Sequence, residues 1–202
     1  MRFGVAILAA GVSSRMGRPK LLLPWGEKTI LAHLIQQWTA LGSSQIGVVI
    51  EPKSALIPHL ANVDQIANPE PHRGMFSSVQ CAAMWESWKK EITHFVITLG
   101  DQPQVESGTL KVIMNFVTAN PEHICQLSRN GRPRHPVVLP RKYFLELGTA
   151  KESNLKEFLR ARESQRRLLE SADDALDVDI DTPEDYQRAL NKRHGDSDVL
   201  SS

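Results

Sequence analysis

The sequence predicts an α/β fold with a mostly parallel central sheet. Three observations carry this. The apolar runs FGVAIL (3–8), IGVVI (46–50) and HFVITL (94–99) are short and continuous, as expected of strands covered on both faces. Segments with apolar residues at helical spacing lie between them. The resulting order of strand, helix, strand, helix requires parallel strands joined by crossovers.

Element by element, the first strand covers Phe3 to Leu8 and runs into a polar loop. A helix follows, with Ile30, Leu31, Leu34, Ile35, Trp38 and Leu41 on one face, Thr29 placed to cap its start and Gly42 its end. The second strand is Ile46 to Ile50, and Pro58 argues against a long helix after it. Asp64 to Asn68 reads as a third strand and NPEPHRG as loop. Ser77 and Ser78 are placed to cap a helix carrying Val79, Ala82, Ala83 and Trp85 or Trp88. His94 to Leu99 is a strand ending at GDQP, and Leu110, Ile113, Met114 and Val117 mark a helix starting near Ser107.

The second half changes character. ICQL and VVLP flank RNGRPRHP, where Asn130-Gly131 is a strong turn signal, so a short β-hairpin insertion is expected there. Helices are expected over Lys142 to Leu147 and Leu155 to Arg162, and a strand in Arg166 to Leu169 or Val178 to Ile180. A last helix starts with Thr182 as cap, Pro183 at its first position and Asp185 three residues after the cap. Residues 1–193 are read as one domain, and 194–202, HGDSDVLSS, as a disordered tail with nothing to bury.

Composition excludes some functions. Lys plus Arg number 24 and Asp plus Glu 23, so the net charge of +1 gives no field to gather a polyanion, and nucleic-acid binding is disfavoured. Cys81 and Cys125 are isolated, with neither metal spacing nor a disulfide framework, which fits a reducing cytoplasm. No stretch approaches the ~20 apolar residues of a membrane span. The apolar run after Arg2 is shorter than the roughly 7–15 residues of a signal-peptide core, and basic residues follow it.

The loop LAAGVSSRMGRPK, Leu8 to Lys20, is the first chemical signal. A loop leaving the carboxyl end of a parallel strand is where α/β proteins bind ligands. Its glycines let backbone N–H groups approach phosphate oxygens, Arg15 offers a fork of donors and Lys20 a mobile charge, a set suited to a polyphosphate. It is not a P-loop, because five residues separate Gly11 from Gly17 and Arg18-Pro19 precede Lys20. The dinucleotide spacing GxGxxG is also absent. On spacing alone, a basic turn solvating the sheet edge competes with this reading.

Asp101 in LGDQP follows an apolar strand directly, at the carboxyl edge of the sheet. A polyphosphate bound at the opening loop would bring Mg²⁺, which takes one or two carboxylates, so Asp101 is the best-placed ligand; the competing reading is a turn aspartate before Pro103. DVDIDTP adds Asp177, Asp179 and Asp181, expected to alternate along a strand and share one face. An aspartate there can also serve the following helix dipole without any metal.

LAAGVSSRMGRPKLLLPW strongly resembles the opening signature of the MobA-like nucleotidyltransferases, LAAGxSxRMGxPKxLLP. NPEPHRGMFSSVQ, LGDQPQV, GRPRHPVVLP and DIDTPEDY continue the resemblance over about residues 3 to 190, closest to the molybdenum cofactor cytidylyltransferase (MocA-like) branch. The resemblance implies a three-layer Rossmann-like nucleotidyltransferase fold with Mg²⁺ as cofactor. Arg15, Lys20 and Asp101 would be catalytic, with Asp101 binding the Mg²⁺ and Asp181, then Asp179, ranked as its second ligand. Leu8, Ala9, Ala10, Gly11, Ser13, Arg15, Lys20, Asn68, Gly74, Ser78 and Asp101 would bind the nucleotide. Gln102, Pro103 and His135 would meet the second substrate, with Arg132, Pro133 and Arg134 shaping the same wall.

The implied reaction moves CMP from CTP to the terminal phosphate of molybdopterin and releases pyrophosphate. A molybdenum hydroxylase of the xanthine dehydrogenase type is the implied downstream partner. Related guanylyltransferases read LAGG where this chain has Leu8-Ala9-Ala10-Gly11, so the Ala10 methyl is expected to narrow the base site and favour a pyrimidine. Rival readings are a GTP-dependent guanylyltransferase, an enzyme acting on a sugar phosphate or other small phosphate, and a non-catalytic molybdopterin carrier. Intact Arg15, Lys20 and Asp101 argue against the carrier.

Overall fold

A computed structural model describes residues 1–11 and 16–199 of the chain, with backbone alone from 194 onward. Strand β1 (Phe3–Leu8) leads through the opening loop to a two-stranded hairpin, β2 (Pro24–Trp25) and β3 (Lys28–Thr29), and then to α1 (Ile30–Ala40). Next come β4 (Gln45–Ile50), β5 (Asp64–Ala67), α2 (Met75–Met84), β6 (His94–Leu99) and α3 (Ser107–Ala119). The second half holds β7 (Ile124–Arg129), β8 (Arg132–Pro140), α4 (Arg141–Leu147), α5 (Leu155–Arg160), β9 (Arg166–Glu170) and α6 (Pro183–Val199).

Among the described residues the central sheet has the order β5-β4-β1-β6-β8-β7-β9. All neighbouring pairs are parallel except those made by β8, which runs against both β6 and β7. The expected hairpin therefore forms at Asn130-Gly131, both in the positive-φ region that a tight turn of this kind requires, and its two strands are part of the central sheet.

β1 explains why the sheet needs a helical layer on each face. Its residues Phe3, Val5 and Ile7 point into one apolar cluster, with Leu31, Leu34 and Trp38 of α1, Leu110 and Ile113 of α3 and Ala189 of α6. Ala6 and Leu8 point into the other, with Val79 and Ala82 of α2, Phe144 of α4 and Phe158 of α5. A strand buried on both faces reads as a continuous apolar run, which is what FGVAIL shows.

Local signals set the helix starts at α1 and α6. Thr29 accepts a hydrogen bond from the Ala32 amide (3.2 Å). At α6, the Thr182 hydroxyl accepts from the Asp185 amide (3.2 Å), and Asp185 Oδ2 accepts from the Thr182 amide (2.9 Å), a reciprocal capping box.

Two expectations need correction. Ser77 and Ser78 do not cap α2, which begins at Met75 after Gly74; both serines lie inside the helix and are buried. Gly74 can start the helix because its φ of 89° is open to glycine and strained for other residues. Trp88 is not on α2 either, which ends at Met84; it is buried in the following loop, its indole N–H donating to the Ala82 carbonyl (2.8 Å). Of the two places offered for a late strand, Arg166 to Leu169 forms one, as β9 at the sheet edge beside β7, and Val178 to Ile180 does not. No helix among the described residues is long and apolar enough to cross a membrane.

Candidate active site

The chain leaves β1 on one side to build α1 and β4, and β6 returns on the other side of β1. The carboxyl ends of β1 and β6 thus flank the switch point, where open α/β sheets bind ligands. Leu8 to Gly11 continue from β1 and Gly100-Asp101 from β6. The two ends approach closely: the Gly100 amide donates to the Leu8 carbonyl at 3.0 Å, and a Cβ at Gly100 would stand 2.9 Å from that same oxygen. Glycine is required there for the loops to meet.

A cleft of about 600 Å³ opens at this edge. Leu8, Ala9, Ala10 and Gly11 line one wall, Gly17 to Leu21 another, and Gly100, Asp101 and Asp181 the floor. Lys20 reaches across that floor. Its Nζ donates to Asp101 Oδ2 at 2.7 Å and to Asp181 Oδ1 at 3.1 Å, while its side chain is only 13% exposed. Burial pulls the Lys20 pKa down, but the Asp101 charge and hydrogen bond, reinforced by Asp181, raise it overall, so the group stays an ammonium ion.

Asp181 reaches Asp101 through a backbone link. The Ile180 amide donates to the Asp101 carbonyl at 3.1 Å, and the Ile180 side chain is buried in the core beneath. One residue earlier, Asp179 Oδ1 accepts from Gln102 Nε2 at 2.8 Å. Burial, then the nearby Asp101 charge, pushes the Asp179 carboxyl pKa up. Asp177 turns away and pairs with Arg129 and Arg134, so the three aspartates do not share one face.

A family model for the MobA-like NTP transferase domain matches residues 5–171. The chain belongs to the MobA-like NTP transferase family. It is 30% identical over 190 residues to the molybdenum cofactor cytidylyltransferase of Escherichia coli K12, covering 92% of this chain and 94% of that one. Among solved structures, Rv0371c of Mycobacterium tuberculosis H37Rv superposes with a TM-score of 0.72 at 26% identity, over 94% of this chain and 97% of the other. A structure of Rv0371c in complex with manganese superposes with a TM-score of 0.69 at 24% identity, over 94% and 98%. This MobA-like chain is thus a nucleotidyltransferase on a Rossmann-like α/β fold.

Within this MobA-like cleft the structure gathers Leu8, Ala9, Ala10, Gly11, Lys20, Asp101 and Asp181 of the residues expected from sequence. Ser13 and Arg15 lie outside the described residues. Asn68, Gly74 and Ser78 do not line it. Asn68 is fully buried; its Nδ2 donates to Ser77 Oγ and Ser78 Oγ, each at 2.9 Å, and its Oδ1 accepts from the Glu70 amide. The three polar side chains knit the loop before α2 together. Gln102 is buried against Asp179, and Pro103 lines a separate hollow beside Trp25 and His33.

His135 enters β8 at the same sheet edge. It is half-buried, with Nδ1 3.3 Å from the Ile97 carbonyl. Burial pushes its pKa down, against the raising effects of that carbonyl and of the Asp101 charge, so the ring is neutral at pH 7 and Nε2 is left as its acceptor.

Sequence reading missed Glu51, Ser54, Ala55 and Leu56, which line the cleft from the loop after β4. Their signal was topological: once β4 lies beside β1, the loop leaving its carboxyl end must border the same crevice. Nothing in the local sequence PKSAL marks it.

The carboxylates of Asp101 and Asp181 already share a cation, the Lys20 ammonium, so this donor set fits a small hard cation with water and phosphate completing its shell. Nucleotidyltransferases of this fold commonly use divalent metals. Among the described residues no three His, Cys, Asp or Glu side chains converge as a closed metal site. Two carboxylates beside an open side are compatible with a divalent cation.

Proposed function

We propose that the chain is a Mg²⁺-dependent molybdenum cofactor cytidylyltransferase, transferring CMP from CTP to the terminal phosphate of molybdopterin with release of pyrophosphate. The observation that carries this reading is Lys20 bridging Asp101 and Asp181 on the floor of a cleft walled by Leu8 to Gly11. Similarity to the E. coli cytidylyltransferase over almost the whole of both chains supports the acceptor. The Ala10 methyl, which lines the cleft where guanylyltransferases carry a second glycine, supports CTP.

The nucleophile is already an anionic phosphate, so no strong base is needed and catalysis is positioning and charge stabilisation. An acceptor phosphate oxygen bonds to the α-phosphorus of CTP as the bond to the β-phosphate bridging oxygen breaks. Lys20 and Arg15 hold the negative charge that builds on the departing pyrophosphate. Backbone amides of Ala10 and Gly11 would orient the triphosphate, the Ala9 amide being taken by the Val49 carbonyl, and the Ser13 hydroxyl expected from the sequence would add to them. Asp101 and Asp181 would hold Mg²⁺, which when bound neutralises phosphate charge; Asp179 backs the pair through Gln102. His135 offers Nε2 to an N–H or O–H donor of the acceptor. Asn68, Ser78 and Gly74 support the site by shaping the loop before α2. The product is suited to a molybdenum hydroxylase of the xanthine dehydrogenase type in the cytoplasm.

The test is pyrophosphate release with Mg²⁺ and molybdenum-loaded molybdopterin, offering CTP, GTP and ATP separately. Release with CTP alone is expected. Equal turnover of GTP removes the role of Ala10, and the absence of release with all three nucleotides despite Mg²⁺-dependent nucleotide binding means another acceptor.

A further inference from the structure

The segment from Asp173 to Asp181 carries the second carboxylate of the site, yet it pairs with no strand. At its start Thr109 of α3 donates to Asp173 and Lys192 of α6 pairs with Asp174; its middle and end are held from two further directions. From the loop after β6, Gln104 Nε2 donates to the Val178 carbonyl (2.5 Å) and Gln102 Nε2 to Asp179 (2.8 Å), and the Ile180 amide reaches the Asp101 carbonyl. From the β7–β8 hairpin, two arginines converge on one carboxylate. Arg129 Nε donates to Asp177 Oδ2 at 2.9 Å and Arg134 Nε to Asp177 Oδ1 at 2.7 Å.

An isolated surface ion pair contributes little, because two flexible side chains lose freedom to form it. This arrangement differs. Each oxygen of Asp177 takes a different arginine, both arginines stand on a hairpin embedded in the sheet, and Arg129 also donates through Nη1 to the Ala172 carbonyl at 2.6 Å. The segment is thereby fixed to β7 and β8 at its middle and to the β6 loop at its end.

We infer that Asp177 is a positioning residue: it pins the 173–181 segment to the hairpin and so sets where Asp181 stands relative to Asp101 and Lys20. The inference rests on the reading above only in taking Asp181 as a functional carboxylate.

The experiment compares the full-length chain with Asp177→Asn, Asp181→Asn and the double variant by amide hydrogen exchange, thermal unfolding and Mn²⁺ affinity by electron paramagnetic resonance in the presence of CTP. With the fold retained, Asp177→Asn should speed exchange of the Ile180 amide about tenfold and leave the Val96 amide of β6 unchanged. Its Mn²⁺ affinity should fall about 10–100-fold, as when an outer partner of a metal ligand is lost. It should fall no further in the Asp181→Asn background, since the effect passes through Asp181. Asp177→Glu, which keeps the charge, should recover part of both. Unchanged Ile180 exchange overturns the proposal, as does an equal loss of Mn²⁺ affinity in both backgrounds. A wild-type chain that binds no Mn²⁺ with CTP present defeats the metal reading instead, and Ile180 exchange then decides the positioning role by itself.

Discussion

Lys20 Nζ stands 2.7 Å from Asp101 Oδ2, so an ion pair joins the loop after β1 to the loop after β6 across the floor of the cleft. The pair is largely shielded, with the lysine side chain 13% and the aspartate side chain 24% exposed. The second carboxylate, Asp181, keeps this ammonium group from balancing one charge alone. The ammonium group therefore stands on the floor of the cleft, across from the wall formed by Leu8 to Gly11.

If Lys20 stabilises the departing pyrophosphate, Lys20→Ala should lower kcat for pyrophosphate release by about 10²–10³, the scale of a lost oxyanion donor, with a smaller change in nucleotide affinity. Steady-state turnover against CTP concentration separates the two. Unchanged kcat removes Lys20 from the chemistry.

The raised Lys20 pKa has a stability consequence of definite sign. Burial opposes the ammonium form, and Asp101 and Asp181 more than restore it. A base whose folded pKa lies above its unfolded value contributes fully below that unfolded value, 10.5, and the contribution is lost as pH rises through the folded pKa. Wild-type protein should therefore lose stability above pH 10.5 relative to Lys20→Met, measured by urea midpoints in alkaline buffers. Parallel curves would contradict it.

Asp179 behaves in the opposite way from most carboxylates. Burial, followed by the Asp101 charge, raises its pKa above 3.8, so the folded state disfavours its ionised form. Stability from this group is greatest below the unfolded pKa and falls as pH rises through the folded one. Asp179→Asn keeps an oxygen to accept from Gln102 and should raise Tm at neutral pH, with the gain vanishing in acid below pH 3.8. A lower Tm at neutral pH would show that the negative charge itself is needed there.

Asn68 separates a structural role from a nucleotide contact. Asn68→Ala removes the partner of Ser77, Ser78 and the Glu70 amide, and should destabilise the fold by about 1–3 kcal/mol, read as a lower urea midpoint. CTP affinity measured well below the transition should change little. Loss of affinity without loss of stability would make Asn68 a direct nucleotide contact.

How much was legible in the sequence follows from the range of each interaction. β1, β4 and β6 were readable because burial on both faces leaves an uninterrupted apolar run. The starts of α1 and α6 were readable because Thr29 and Thr182 bond to amides three residues on. That the opening loop and Asp101 meet at one sheet edge was readable, since each directly follows an apolar strand.

The start of α2 was not readable, because Ser77 and Ser78 answer to Asn68 and not to the amides beside them. The path of Asp177 to Asp181 was misread for a similar reason. Its alternation looks like a strand, but Gln102, Gln104, Arg129 and Arg134, all distant in the chain, decide where it runs. The sequence by itself determined the α/β class, the local caps and the chemical types gathered at the β1 and β6 loops, because short-range periodicity and hydrogen bonding encode them. Only the tertiary structure decided that Asp181 shares Lys20 with Asp101, because that meeting depends on the order of strands in the sheet and on side chains reaching across it.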